Sequence, residues 1–235
     1  MLPGVMPPPP QSVDYTTRVT SWPMFDNDTL GNCTVAAIGH LIQLYSSYTK
    51  PAPLVMSNAN IINTYSDVGG YVSGDSSTDN GAVEQDVLNY WMNHGVPVND
   101  IVNKITGFAK INVAKKTELQ YALYWFGGAY IGIDLPLAWQ STSNWEMPSN
   151  LMGANAPGSW GGHAIPVVAY DQDYLTVITW GEKVQLSWAA YESFVDESWA
   201  VVDALWANQQ GKCPANNFDW SQLLADMSLI QQGVV

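Results

Sequence analysis

The sequence predicts an α+β fold, with helices first and a sheet after them. Three observations carry this. Apolar residues in the first half recur every three or four positions and stop at glycines, as in half-buried helices. From residue 129 onward the apolar runs are short, unbroken and rich in Ile, Val and Tyr, as buried strands are. The two patterns are segregated along the chain rather than alternating, which argues against a parallel sheet wound by βαβ units. With 235 residues the chain suits one large domain or two tightly joined lobes.

Taken in order, residues 1–21 form a Pro-rich arm. Pro7 to Pro10 favour an extended polyproline segment that cannot enter a helix or a central strand. The arm is expected to lie along a protein surface with its prolines on aromatic side chains. The first helix opens at Cys33 and runs to about Tyr48, with Val35, Ile38, Ile42 and Tyr45 on one face and Leu41 and Leu44 beside them. A second starts after Ser57 and stops before Gly69-Gly70. A third starts after Asp79, turns Val83, Val87 and Trp91 inward and ends at Gly95. Thr117 caps a fourth, with Leu119, Leu123 and Phe126 inside and Gly127-Gly128 as its stop.

Strands follow at 129–135, 163–170 and 174–180, the last two joined as a hairpin through Asp171-Gln172-Asp173. Residues 137–160 lack periodicity and read as a long surface loop. A helix near 188–195, a strand at 199–202 and a terminal helix from Asp219 complete the chain. Beyond the arm, this divides the domain into a helical lobe over about 22–115 and a β-rich lobe over about 116–235.

Charged residues are only 12% of the chain and the net charge is −13, with Arg18 the single arginine. Contact with phosphates depends on Lys and Arg, so nucleic acid and anionic membranes are not the expected partners. Three scattered His and two Cys offer no zinc spacing. Asp67, Asp75 and Asp79 do not follow a calcium-loop pattern and read as a solvated loop, so no metal and no cofactor is expected. Cys33 and Cys213 cannot make a disulfide framework, and a single bridge between them is the lesser reading. The N-terminus lacks the basic and apolar regions of a signal peptide, and no apolar run approaches the ~20 residues of a membrane span. The expected location is cytoplasmic or virion-associated.

One pairing points to chemistry. Cys33 stands where a helix dipole favours the thiolate, and His163, in Gly161-Gly162-His163-Ala164-Ile165, opens a β-branched strand 130 residues later. A nucleophilic thiol needs an adjacent base of this kind. The plainer readings are a small buried hydrophobe for Cys33 and a satisfied core histidine for His163. His40, on the same helix as Cys33, is expected to pack structurally, and His94 to end a helix. Trp139, Trp145 and Trp160 could line a cleft or form a protein interface.

These segments resemble the papain-like cysteine peptidase superfamily, including its divergent bacterial and bacteriophage members. Gly31-Asn32-Cys33 with its apolar helix is similar to the family's nucleophile helix. Thr78-Asp79-Asn80-Gly81 with Val83, Val87 and Tyr90 resembles the glycine-led helix of the first lobe. Leu119 to Gly128 followed by Ala129–Leu135 is similar to the helix leading into the first strand of the second lobe. Gly162-His163-Ala164-Ile165 resembles the histidine strand, and Thr179-Trp180-Gly181-Glu182 the Asn-Ser-Trp-Gly corner. The likeness covers roughly residues 22–202.

The resemblance implies a two-lobed fold in which the Cys33 helix faces an antiparallel sheet bearing His163. It also implies a thiol hydrolase of peptide or amide bonds, with Cys33 as nucleophile and His163 as base and acid, holding the thiolate as an ion pair. The family's orienting Asn is absent: Thr179 or Ile178 stands there, and Thr179 is the choice that can hydrogen-bond the imidazole. The family's oxyanion Gln is replaced by Asn27, one methylene shorter, which would act with the Cys33 backbone N–H. Asn32, Trp160, Gly161, Gly162 and Trp180 are the candidate cleft residues, and a peptide or protein is the implied substrate. The departures leave a second expectation open. In it the chain keeps the fold without turnover as a structural or assembly protein, for instance a virion component that binds neighbouring subunits through its Pro-rich arm.

Overall fold

In a computed structural model, the structure describes residues 8–208, 210–221 and 223. Helix α1 (Cys33–Thr49) is buried almost all round, from Thr34 to Ser47. Its apolar residues therefore cover more than one face, because it lies between the sheet and two further helices. Those are α2 (Asn58–Gly69), whose Ser57 side chain accepts from the Asn60 N–H, and α3 (Glu84–Asn93). Helix α4 (Lys116–Phe126) ends on Gly127 at φ 82°, a left-handed position where a Cβ would meet the Trp206 indole at 2.6 Å. Helix α5 (Trp188–Phe194) is capped by the Ser187 side chain.

The strands are β1 (Val13–Asp14), β2 (Val96–Val98), β3 (Ile101–Asn103), β4 (Gly107–Lys110), β5 (Ala129–Leu135), β6 (Asn144–Trp145), β7 (Gly161–Tyr170), β8 (Tyr174–Thr179), β9 (Glu182–Ser187) and β10 (Val195–Val202). The main sheet runs β4-β10-β5-β7-β8-β9-β6, with β1 on the edge of β7, while β2 and β3 form a separate ribbon. Every pair is antiparallel except β6 with β9, so the expectation of an antiparallel sheet holds with one parallel edge. Alternation along the strands separates two cores. Tyr130, Ala164, Val168, Ile178 and Val201 face α1, whereas Ile131, Ile133, Ile165, Val167 and Val177 face the side covered by α4 and α5.

Several local expectations are corrected. Val83 does not turn inward: it sits at the N-cap of α3 and is 58% exposed. Thr117 lies inside α4, whose N-cap is Lys115. The 137–160 stretch contains β6 and two short 3-10 turns, and β9 follows β8 after a turn too short to leave a composition signal. The helix expected from Asp219 falls largely outside the described residues.

From residue 8 onward the arm is held by its own chain. Tyr170 Oη donates to the Pro10 carbonyl at 2.7 Å, and Val13 registers with Tyr170. Tyr15 packs on Trp206 with ring centroids 4.9 Å apart, and Lys183 Nζ donates to Thr16 Oγ1 at 2.6 Å. At ~3.3 Å per residue, Tyr170 is roughly 23 Å along β7 from His163. This part of the arm therefore stays out of the region around that histidine. The remainder of the Pro-rich arm lies outside the described residues.

Candidate active site

The approach to Cys33 is fixed by three chain segments. Phe25 and Asp26 both take positive φ, 60° and 56°, so the chain turns sharply before α1. The Asn32 side-chain amide closes that turn by donating to the Phe25 carbonyl at 2.8 Å. Asn32 is fully buried in this role and does not face a cleft, which corrects its assignment there. The Gly31 N–H donates to both oxygens of Asp79, at 3.0 and 3.2 Å. Tyr65 Oη donates to Asp79 Oδ1 at 2.6 Å and accepts from the Gly81 N–H at 2.9 Å. A Cβ on Gly31 would come within 2.9 Å of Asp79 Oδ1, so a glycine is needed two residues before the cysteine. Asp79 is thus the clasp between the loop before α3 and the start of α1, not a solvated loop residue.

His163 lies on β7 opposite Ile133 of β5 and is 7% exposed. Its Nε2 is 2.7 Å from Thr179 Oγ1. Ile178, the alternative, packs in the core on the α1 side. The strands β8 and β9 are joined by Trp180-Gly181, at φ 47° and 76°, the positive-φ pair of a two-residue hairpin turn. That turn lays the Trp180 indole flat on the imidazole, with centroids 4.6 Å apart and planes 15° apart. Trp160 follows at 5.0 Å from Trp180, and Trp145 at 6.3 Å. Trp139 stacks on Trp145 at 5.3 Å, and these four indoles line a cavity of about 220 Å³ whose inner end reaches the core beneath α5.

Cys33 and His163 line one cavity of about 340 Å³. Thr34 and the 80–84 segment, from Asn80 to Glu84, complete one side, and Gly162 stands beside His163 on the other. The Ala164 backbone, one residue past the histidine, lies near enough to the Cys33 sulfur to favour its thiolate, as do the backbone groups of Thr34 and Cys33 at the helix start. A smaller cavity of about 80 Å³ is lined by Leu135, Trp160, Gly161, Gly162, His163 and Trp180, which brings four of the five candidate cleft residues together. Asn27 lines neither cavity; it is half-buried, with its backbone N–H on the Met24 carbonyl. Glu84 is the site residue that sequence reading missed. A carboxylate in the first turn of a helix reads as dipole chemistry, and only the fold turns it toward the thiol. A larger cavity, of about 820 Å³, opens at Thr49 and Lys50, roughly 25 Å away at the other end of α1.

Burial governs the protonation states. It pushes the Cys33 thiol up to about 11; the Ala164 backbone acts against this, and Glu84 adds a smaller upward push. It also pulls His163 down to about 3. Burial thus favours a neutral thiol and a neutral imidazole over the thiolate–imidazolium ion pair expected from the resemblance. Nε2 is held by Thr179 Oγ1, and no hydrogen bond to Nδ1 occurs among the described residues; with the proton on Nε2, Nδ1 would be the basic nitrogen. Burial also raises Glu84 to about 7, helped by the neighbouring Glu197 and Asp196. His40 is the structural histidine expected: its Nε2 meets the Pro23 carbonyl at 2.9 Å, and burial lowers it to about 4. Both cysteines are free, and no cluster of metal-ligating residues occurs among the described residues. Nor is any described helix long and apolar enough to cross a membrane.

The architecture matches solved cysteine proteases. Xylellain, a cysteine protease from Xylella fastidiosa, superposes with a TM-score of 0.64 at 17% identity, over 83% of this chain and 86% of its own. Procathepsin B of Trypanosoma congolense gives 0.63 at 11% identity, over 86% and 80%. The bromelain protease of Ananas comosus gives 0.57 at 15% identity, over 82% and 99%. The fold is therefore papain-like, as the sequence motifs imply. No protein-family model matches the chain, and no curated protein sequence does.

Proposed function

We propose that the chain is a thiol hydrolase of peptide or amide bonds, with Cys33 as nucleophile and His163 as its base and acid. The observation that carries this reading is the His163 imidazole, held at Nε2 by Thr179 and covered by Trp180, lining the same cavity as Cys33. As Sγ attacks the carbonyl carbon, its proton passes to Nδ1, and the imidazolium then protonates the leaving amine as the C–N bond breaks. Water, deprotonated by the same nitrogen, attacks the thioester and releases the acid and the thiol. Charge on the carbonyl oxygen would be met by N–H groups at the α1 start, Cys33 among them. Asn27 would have to rotate toward the cavity to add a second donor.

The papain-like fold supports this reading without assigning the roles. The alternative, a non-catalytic assembly protein, has no observation in its favour: the described part of its arm is satisfied within the chain. The test is alkylation by iodoacetamide, read by mass spectrometry, beside hydrolysis of a quenched peptide library. Cys33 should react well ahead of the buried Cys213, His163→Ala should abolish that lead, and hydrolysis should vanish in Cys33→Ala. Equal reactivity of the two thiols, with no hydrolysis, would overturn the proposal.

A further inference from the structure

Packing fixes the body of α1 but not the approach to it. Thr34 to Ser47 are buried, whereas Leu30, Gly31 and Cys33 are only partly buried, so hydrogen bonds decide where the first turn stands. Asp79 takes the Gly31 N–H on both carboxylate oxygens and the Tyr65 hydroxyl on Oδ1, and Tyr65 Oη in turn takes the Gly81 N–H. Three chain segments meet on this pair, each at a glycine. A Cβ on Gly31 would lie 2.9 Å from Asp79 Oδ1. One on Gly69 would lie 2.8 Å from the Tyr65 ring and 2.9 Å from the Gly81 carbonyl oxygen. Gly81 takes φ 77°, and its own Cβ would stand 3.9 Å from the Gly31 carbonyl oxygen. Tyr65 is fully buried and stacks on Tyr71 with centroids 5.3 Å apart, which fixes where its hydroxyl points.

The pair thus joins two parts of the site while lining neither. Gly31 stands two residues before the nucleophile, and Gly81 belongs to the 80–84 wall of the cavity that Cys33 and His163 share. Resting on the hydrolase reading of that cavity, we propose that Asp79 and Tyr65 are positioning residues, which through Gly31 and Gly81 hold the Cys33 thiol in place between this wall and His163. Proton transfer from Sγ to the imidazole needs the two groups within hydrogen-bond reach, and a misplacement of about 1 Å can cost on the order of a hundredfold. A carboxylate suits the task because its bonds to N–H and O–H donors are charge-assisted and stronger than neutral ones. The turn before α1 does not itself depend on Asp79. Asn32 Nδ2 donates to the Phe25 carbonyl at 2.8 Å, and Asn58 Nδ2 to Asp26 Oδ1 at 2.8 Å. Loss of Asp79 therefore frees the thiol's position rather than the fold.

The pH profile of alkylation separates positioning from packing. Iodoacetamide reaches Cys33 by two routes. Near pH 7 the neutral imidazole assists the thiol, which needs the aligned pair; towards pH 10 the free thiolate reacts, which does not. In Asp79→Ala the rate at pH 7 should fall about tenfold, the worth of one hydrogen bond in placing the loop, while the rate at pH 10 stays within about threefold of the parent. Asp79→Asn keeps an acceptor for Gly31 and Tyr65 and should recover most of the rate at pH 7. Tyr65→Phe releases Gly81 and should show the same split in milder form, and it carries the test should Asp79→Ala fold poorly by circular dichroism. A parental rate at pH 7 in folded Asp79→Ala (or in Tyr65→Phe standing in for it) would overturn the inference. So would rates that change together at pH 7 and pH 10, as a merely loosened cavity would give. Failure of the hydrolase reading looks different: Cys33 of the unsubstituted protein would then react no faster than Cys213 at pH 7, and the inference would fall with it.

Discussion

Replacing Thr179 with valine keeps the shape of the side chain and removes the hydrogen-bond partner of His163 Nε2, at 2.7 Å. Because the imidazole is buried, Nε2–H then has neither protein nor water to meet. An unpaired buried donor costs about 1–3 kcal/mol. For a chain of this length each kcal/mol lowers Tm by about 2–4 °C. The same loss acts on reactivity by a different route. The Thr179 bond is worth about 1–1.5 kcal/mol, whether the hydroxyl accepts from Nε2–H or donates to Nε2, and its removal frees the ring to leave the orientation in which it can take the Cys33 proton, a factor of about ten. Alkylation of Cys33 at pH 7.5 should therefore slow by about tenfold in Thr179→Val and recover in Thr179→Ser, with thermal melts followed in parallel. A valine variant that reacts at the parent rate would refute an orienting role, and an unshifted melt would refute the energetic argument.

The protonation states set the pH dependence. With the thiol at about 11 and His163 at about 3, alkylation through the free thiolate should climb roughly tenfold per pH unit towards pH 10, above a pH-independent rate assisted by the neutral imidazole near pH 7; a climb of tenfold per unit all the way from pH 5 would show that His163 takes no proton. Asp203 is buried and its carboxyl is raised to about 7, chiefly by that burial. Its folded pKa lies above the unfolded one, so its contribution is fully present below pH ~3.8 and is lost as pH rises through 7. Asp203→Asn should accordingly raise stability in denaturant melts at pH 8 by an order of a few kcal/mol relative to pH 5, and equal effects at both would be the contrary result. Gly181→Ala forces a side chain onto φ 76° and brings a Cβ within 3.1 Å of the Trp22 carbonyl, so it should cost about 1–2 kcal/mol in the same melts. A neutral outcome would mean that the turn beneath Trp180 is not tightly held.

Much of this arrangement was legible in the residues. Helices α1 and α4 announced themselves through apolar periodicity, α2 and α4 through glycine stops, and β5 through an unbroken apolar run. Strand β9 did not, because Glu182, Lys183 and Gln185 alternate with Val184 and Leu186 on a strand near the sheet edge, where one face is wet. The pairing of Thr179 with His163 could be read because neighbours on a strand face opposite ways, which leaves Ile178 for the core. Asp79 and Glu84 could not. Their partners stand 48 residues before and 113 after them in sequence, and no local pattern marks such contacts. The burial of Cys33 and His163, which acts against the ion pair expected of them, is invisible in the sequence, where only the helix dipole can be weighed.

That burial changes how the site must work. A neutral thiol beside a neutral imidazole is activated only when proton transfer accompanies attack, so whatever lowers the thiol's pKa on substrate binding contributes directly to rate. Glu84 now pushes that pKa upward from the cavity wall. Burial is the larger upward push on the thiol, and the backbone of Ala164, Thr34 and Cys33 acts against it, so the proton has to leave Sγ for the imidazole in the same step in which the carbonyl carbon is attacked.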